Sequence, residues 1–128
     1  MEHRRAPGHR RWYIPDCYLP DDNPDKGNFV SHESCCVLNV GKVDARCTLT
    51  FYFEDREPLR DIQITVGRER CWHVRFDRLE EIAGLSIPRD VPYGLWLESD
   101  HEVVVQHSRL DSRGGGLAYM TVMGYAED

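Results

Sequence analysis

No stretch of this chain approaches the ~20 consecutive apolar residues that a membrane-spanning helix requires, so such a helix is excluded. The N-terminus carries charges without the apolar core of a secretory signal, which makes the cytoplasm the expected compartment. An excess of positive charge is also missing. Sixteen Lys and Arg stand against 22 Asp and Glu, a net charge of −6. A nucleic-acid binder ordinarily shows a basic domain or stripe, so nucleic acid is not an expected partner. Arg4, Arg5, Arg10 and Arg11 gather in a short basic arm over residues 1–10, which is expected to be disordered. The five cysteines, Cys17, Cys35, Cys36, Cys47 and Cys71, are odd in number, irregularly spaced and form no C-x-x-C pair. A disulfide framework is therefore not expected, and buried reduced thiols are.

The familiar catalytic signatures are absent as well. There is no Gly-x-Ser-x-Gly elbow, and Ser108 and His107, as strand neighbours, face opposite ways. Gly114-Gly115-Gly116 is followed by no Gly-Lys-Ser/Thr, so it is a turn and not a phosphate loop. His32, His73 and His107 with Glu33 form a metal set on paper only, because their spacing matches no ligand signature. A non-enzymatic protein without metal or cofactor is the expectation.

What the chain does contain is short runs of β-branched and aromatic residues separated by turn residues. Its 128 residues suit one domain, here residues 11–128. Trp12-Tyr13-Ile14 begins a strand, and the Pro- and Asp-rich residues 15–28 read as a loop. Phe29 to Val40 reads as a long strand with Glu33, Cys35, Val37 and Asn39 on one face. Residues 45–53 alternate, with Ala45, Cys47, Leu49, Phe51 and Phe53 inward and Arg46, Thr48, Thr50 and Tyr52 outward. Ile62, Ile64 and Val66 complete a hairpin with them. Residues 70–76 alternate again, 78–84 suit one helical turn, and residues 93–98 and 101–110 suggest a hairpin across Ser99-Asp100. Residues 117–125 form a last strand. About eight strands with little or no helix predict an all-β, single-domain sandwich with jelly-roll character.

The most informative segment is Val105-Gln106-His107-Ser108-Arg109-Leu110-Asp111-Ser112-Arg113. A pure β run passes here into closely spaced polar and charged groups, donors and acceptors for a polar or anionic partner. Arg75, Arg109 and Arg113 can grip carboxylate or phosphate, and Glu33 and Asp111 can pair with them internally. The sequence leaves both uses open. Trp72 shares a face with Val74 and Phe76 and belongs to the core, whereas Trp12 and Trp96 can serve either the core or a sugar-stacking platform.

In order along the chain, Trp12-x-Ile14, Tyr18-Leu19-Pro20, Phe29-Val30-Ser31-His32-Glu33, Val37-Leu38-Asn39, Tyr52 with Asp55, Glu57 and Pro58, His73-Val74-Arg75-Phe76 and the segment from Val104 to Arg113 resemble the sensory rhodopsin transducer family. The resemblance covers about residues 11 to 125. It implies a β-sandwich like that of carbohydrate-binding modules and a cytoplasmic homotetramer. It further implies a signal-transduction role beside a membrane receptor of rhodopsin type. A sugar or sugar acid is the small-molecule ligand suggested for such domains. The polar positions that match are His32, Glu33, Arg75, Gln106, His107, Arg109, Asp111 and Arg113, which are the expected ligand-binding residues. Pro15-Asp16-Cys17 and the triple glycine depart from the family pattern. The alternative is an interaction module that docks the receptor's cytoplasmic tail, with the polar cluster purely structural.

Overall fold

A computed structural model describes residues 7–21, 30–114 and 116–128. Eight strands follow one another: β1 (His9–Tyr18), β2 (His32–Asn39), β3 (Ala45–Phe53), β4 (Leu59–Val66), β5 (Arg70–Arg75), β6 (Pro92–Asp111), β7 (Ala118–Met123) and β8 (Tyr125–Glu127). A 3-10 turn, Phe76–Arg78, leads into the short helix α1 (Leu79–Ala83), the single α-helix among the described residues. The helical turn expected at 78–84 is therefore present, and Gly84 closes it in the left-handed conformation.

All strand pairs are antiparallel. The first half of β6 lies between β1 and β3 in a sheet ordered β4-β3-β6-β1-β8. Its second half lies between β2 and β7 in a sheet ordered β5-β2-β6-β7. One strand thus belongs to both layers of the sandwich, whose inner faces interdigitate as the core. Leu49, Phe51, Ile62, Ile64, Leu95 and Leu97 come from the five-stranded sheet. Cys35, Val37, Val74 and Val105 face them from the four-stranded sheet, with Phe76 and Leu79 closing one side. Phe51 meets Phe76 edge-on, ring centroids 5.1 Å apart.

The expected hairpin across Ser99-Asp100 is one continuous 20-residue strand. Both residues are turn formers, but here they satisfy backbone groups where β6 passes between sheets. Asp100 accepts from the Arg46 amide at 2.8 Å, and Ser99 Oγ accepts from the His101 amide at 3.3 Å. The burial phase slips at this point, since Glu102 and Val103 are both buried. The first strand is longer than expected. It runs through Pro15 to Tyr18 because shifts of register between Ile14 and Cys17 absorb the proline. Phe53 is only half-buried, and Thr50, though outward, is covered beside its register partner Trp96. Of the basic arm, residues 1–6 lie outside the described residues, and His9 and Arg10 are part of β1. Residues 22–28 of the expected loop and Phe29 of the expected strand also lie outside them.

Two glycines permit close approach. Gly8 has φ +109°, and a Cβ there would collide with the Val103 carbonyl oxygen. At Gly124, where the chain passes from β7 to β8, a Cβ would come within 3.0 Å of the Trp12 ring.

A buried carboxylate between the two sheets

Alternation along β2 puts Glu33 on the core face with Cys35 and Val37. The β2–β6 register sets Glu33 opposite Arg109 and Cys35 opposite His107, which brings all three polar groups to one inner corner. Glu33 and His107 are fully buried. Glu33 Oε2 accepts from the Tyr18 amide at 2.7 Å, from His107 Nε2 at 2.8 Å and from Arg109 Nε at 3.2 Å. Its Oε1 accepts from the Tyr93 hydroxyl. Arg109 reaches outward as well, donating to the Asp16 carbonyl and carboxylate at 3.2 Å each.

Burial by itself raises a carboxyl pKa. Here the hydrogen bond and charge of His107, with the Tyr18 amide and Tyr93 hydroxyl, outweigh it and hold Glu33 below the usual carboxylate range. Burial and the Glu33 charge push the Tyr93 phenol far up, so it stays a donor. Burial lowers the pKa of Arg109, but Glu33 and Asp16 raise it further, leaving a firm cation. Burial followed by the Glu33 charge likewise pushes the Cys17 thiol up, so its sulfur is neither a thiolate nucleophile nor a ready metal ligand. Ligand atoms of Cys17, Glu33 and His107 lie within 4.8 Å of one another. The set suits a cation poorly, because four donors already occupy the carboxylate and a guanidinium lies 3.2 Å from it. His107 Nδ1 is buried with no partner among the described residues.

The remaining expected site residues stand elsewhere. Asp111 and Arg113 pair at the rim, through Nη2–Oδ2 at 2.7 Å and Nε–Oδ1 at 3.0 Å. Arg113 also donates to Asp90 at 3.0 Å and lies over the Tyr18 ring, 5.4 Å from its centroid. Tyr18 connects rim to interior, since its amide binds Glu33 and its hydroxyl donates to Asp90 at 2.9 Å. His32, Arg75 and Gln106 are on the outer face of the four-stranded sheet. His32 Nδ1 pairs with the Val30 carbonyl at 2.8 Å, Arg75 makes two 2.7 Å bonds to Asp77, and Gln106 donates to Thr121. The structure thus joins Glu33, His107 and Arg109, ties Asp111 and Arg113 to them through Tyr18, and separates the other three.

Sequence reasoning missed Tyr93, Tyr18 and Asp16. Tyr93 carried a signal: it shares the phase of Leu95 and Leu97, and a phenol inside a core needs an acceptor. Tyr18 contributes through its amide and Asp16 through both its carbonyl and its carboxylate, and the register shift between Ile14 and Cys17 that places them is not legible in the side-chain pattern. Beside the cluster, buried Ser31 accepts at Oγ from the Ser112 amide at 2.9 Å and ties the start of β2 to the end of β6.

A family model described as Anabaena sensory rhodopsin transducer matches residues 7–126. Two solved structures are similar. The crystal structure of Thermotoga maritima 1070 has a TM-score of 0.85 and 37% identity, covering 95% of this chain and 97% of that one. The Anabaena sensory rhodopsin transducer has a TM-score of 0.72 and 38% identity, covering 83% and 91%. Among curated proteins there is no match.

Proposed function

Because the chain belongs to the Anabaena sensory rhodopsin transducer family, we propose that it is a cytoplasmic signal transducer. In this reading it works as a homotetramer and passes on the state of a membrane receptor of rhodopsin type through protein contacts. The observation that carries this reading is β7. Among the described residues it pairs with β6 alone, and it is an uncharged strand that exposes apolar side chains on both faces. Tyr119 is 67% exposed, Met123 55% and Val122 42%. An uncharged, unprotected edge of this kind pairs with another chain unless it is blunted, and nothing on β7 blunts it. A second copy is the self-complementary occupant.

The inner polar cluster then serves as a structural network. Glu33 offers its acceptors to protein donors already, which supports the interaction reading over a ligand seated at that carboxylate. No helix among the described residues is long and apolar enough to cross a membrane, so the receptor would supply the membrane-embedded part.

Light scattering on the size-exclusion peak tests the assembly. The wild-type chain is expected as a tetramer, and Val122→Lys with Met123→Lys as a smaller species with unchanged circular dichroism. A wild-type monomer at all concentrations, or a lysine variant that stays tetrameric, would overturn the β7 assignment. Co-elution of the wild-type chain with a microbial rhodopsin in nanodiscs tests the receptor, and failure to co-elute in light and in darkness removes it.

A further inference from the structure

The cysteines divide into two groups. Cys17, Cys35 and Cys47 are buried, as reduced thiols ordinarily are, whereas Cys36 is half-buried and Cys71 is exposed. Parity explains Cys36. It follows the core residue Cys35 on β2, so its side chain leaves on the outer face of the four-stranded sheet. Cys71 and His73 leave β5 on that same face, since Val74 points into the core. The β2–β5 register sets Cys36 directly opposite His73, and Leu38 opposite Cys71. The two cysteines outside the core therefore flank one histidine.

Strand geometry limits what these three side chains can do together. Directly opposite residues have Cβ atoms ~4.5–5.5 Å apart, and a diagonal pair such as Cys36 and Cys71 stands ~7–8 Å apart. A disulfide does not close over the diagonal without backbone movement. A metal ion extends the reach, because it sits ~2.3 Å from each thiolate sulfur and ~2.0 Å from an imidazole nitrogen. Two residues at i and i+2 of one strand, with one on the neighbouring strand, then form a triangle of ligands over the sheet.

The donor set selects the ion. Two thiolates and an imidazole suit zinc, and the two thiolates cancel its charge. Arg75, the next residue of β5 on this face, is neutralised by its two bonds to Asp77. The donors are also available. Cys71 and His73 are exposed, and the Cys36 thiol has one long contact, 3.9 Å to Ser108 Oγ. The three ligand atoms are not gathered in advance, as those of Cys17, Glu33 and His107 are. Cys36 leans towards β6, and rotation about its Cα–Cβ bond turns the sulfur to β5. Binding exchanges the two thiol protons for the ion.

We propose that Cys36, Cys71 and His73 bind one zinc ion on the outer face of the four-stranded sheet, with water in the fourth position. The site is separate from the buried carboxylate at Glu33 and does not rest on the receptor reading.

The test is calorimetric titration of the metal-free, fully reduced chain with zinc, repeated with cobalt(II) to record thiolate-to-metal absorption in the near ultraviolet. One ion per chain and a thiolate band are expected. Cys71→Ser should abolish both. His73→Ala should weaken binding by more than about tenfold, since loss of even an outer partner of a metal ligand costs about 10- to 100-fold. Both variants should keep the wild-type circular dichroism and thermal midpoint, because both side chains are exposed. His9→Ala, on the other sheet, should bind as the wild type does. Absence of saturable binding overturns the proposal. So does a cobalt complex without a thiolate band, or binding that Cys71→Ser and His73→Ala leave unchanged.

Discussion

At the scale of single residues, Glu33 is the most consequential side chain. It is a fully buried charge whose oxygens are shared among His107, Arg109, Tyr93 and the Tyr18 amide. Removing one member of a buried ionic set costs about 3–5 kcal/mol, since the others stay buried without compensation. Glu33→Gln keeps the shape and loses the charge, and it should lower stability at neutral pH by an amount approaching that range. Its pH dependence has a definite sign. The folded carboxyl titrates below its unfolded value, so in acid the unfolded chain binds more protons and stability rises with pH. Glu33's contribution is fully present above the unfolded value, about 4.3, and is lost as pH falls through the folded one. Thermal midpoints measured from neutral pH into acid should therefore fall less steeply in Glu33→Gln than in the wild type, and equal slopes would refute the role given to this carboxylate. The cysteines follow simpler rules. Burial raises Cys47 to about 11 and holds Cys17 and Cys35 higher still, so these three are inert core thiols.

At the scale of elements, β6 decides the architecture. Its first half satisfies β1 and β3, its second half β2 and β7, and the chain changes layers near Ser99. The contact that secures this crossing is close backbone approach at Gly8, whose Cα faces the Val103 carbonyl just after the change. Any Cβ at Gly8 collides with that oxygen and also meets an unfavourable positive φ. Gly8→Ala should cost more than about 1 kcal/mol, read as a lower urea midpoint at unchanged m-value. A variant as stable as the wild type would show that this crossing tolerates separation. The long strand also explains why the segment around His107 looks anomalous in the sequence. It is a core strand whose inner face happens to carry an ion pair.

At the scale of the whole molecule, two surfaces of different character remain. The five-stranded sheet presents aromatic rings bordered by hydrogen-bonding groups, while β7 presents an uncharged apolar edge. If β7 holds copies together, assembly and folding are linked by mass action, and the thermal midpoint must rise with protein concentration. Scanning calorimetry over a hundredfold dilution should show this for the wild type and not for the Val122→Lys, Met123→Lys chain. A midpoint independent of concentration in both would place the assembly elsewhere or dispense with it.

Local periodicity is enough to read the alternation of Ala45 to Phe51, the hairpin to Ile62, Ile64 and Val66, the helical turn and the all-β class. Side-chain direction in a strand depends only on parity, which the sequence displays. Parity alone also puts Glu33 on the face of Cys35 and Val37. The partner strands are a different matter. That His107 and Arg109 meet Glu33 depends on the β2–β6 register, and that Arg75 turns away depends on the β2–β5 register, whereas His32 and Gln106 turn away by parity alone. That Ser99 and Asp100 mark a change of layer and not a turn depends on what flanks β6 on each side. Glu33 stands more than seventy positions from His107 and Arg109, and Asp100 stands 54 from Arg46; over such separations no local pattern carries information, and only the packing of the two sheets selects among the pairings.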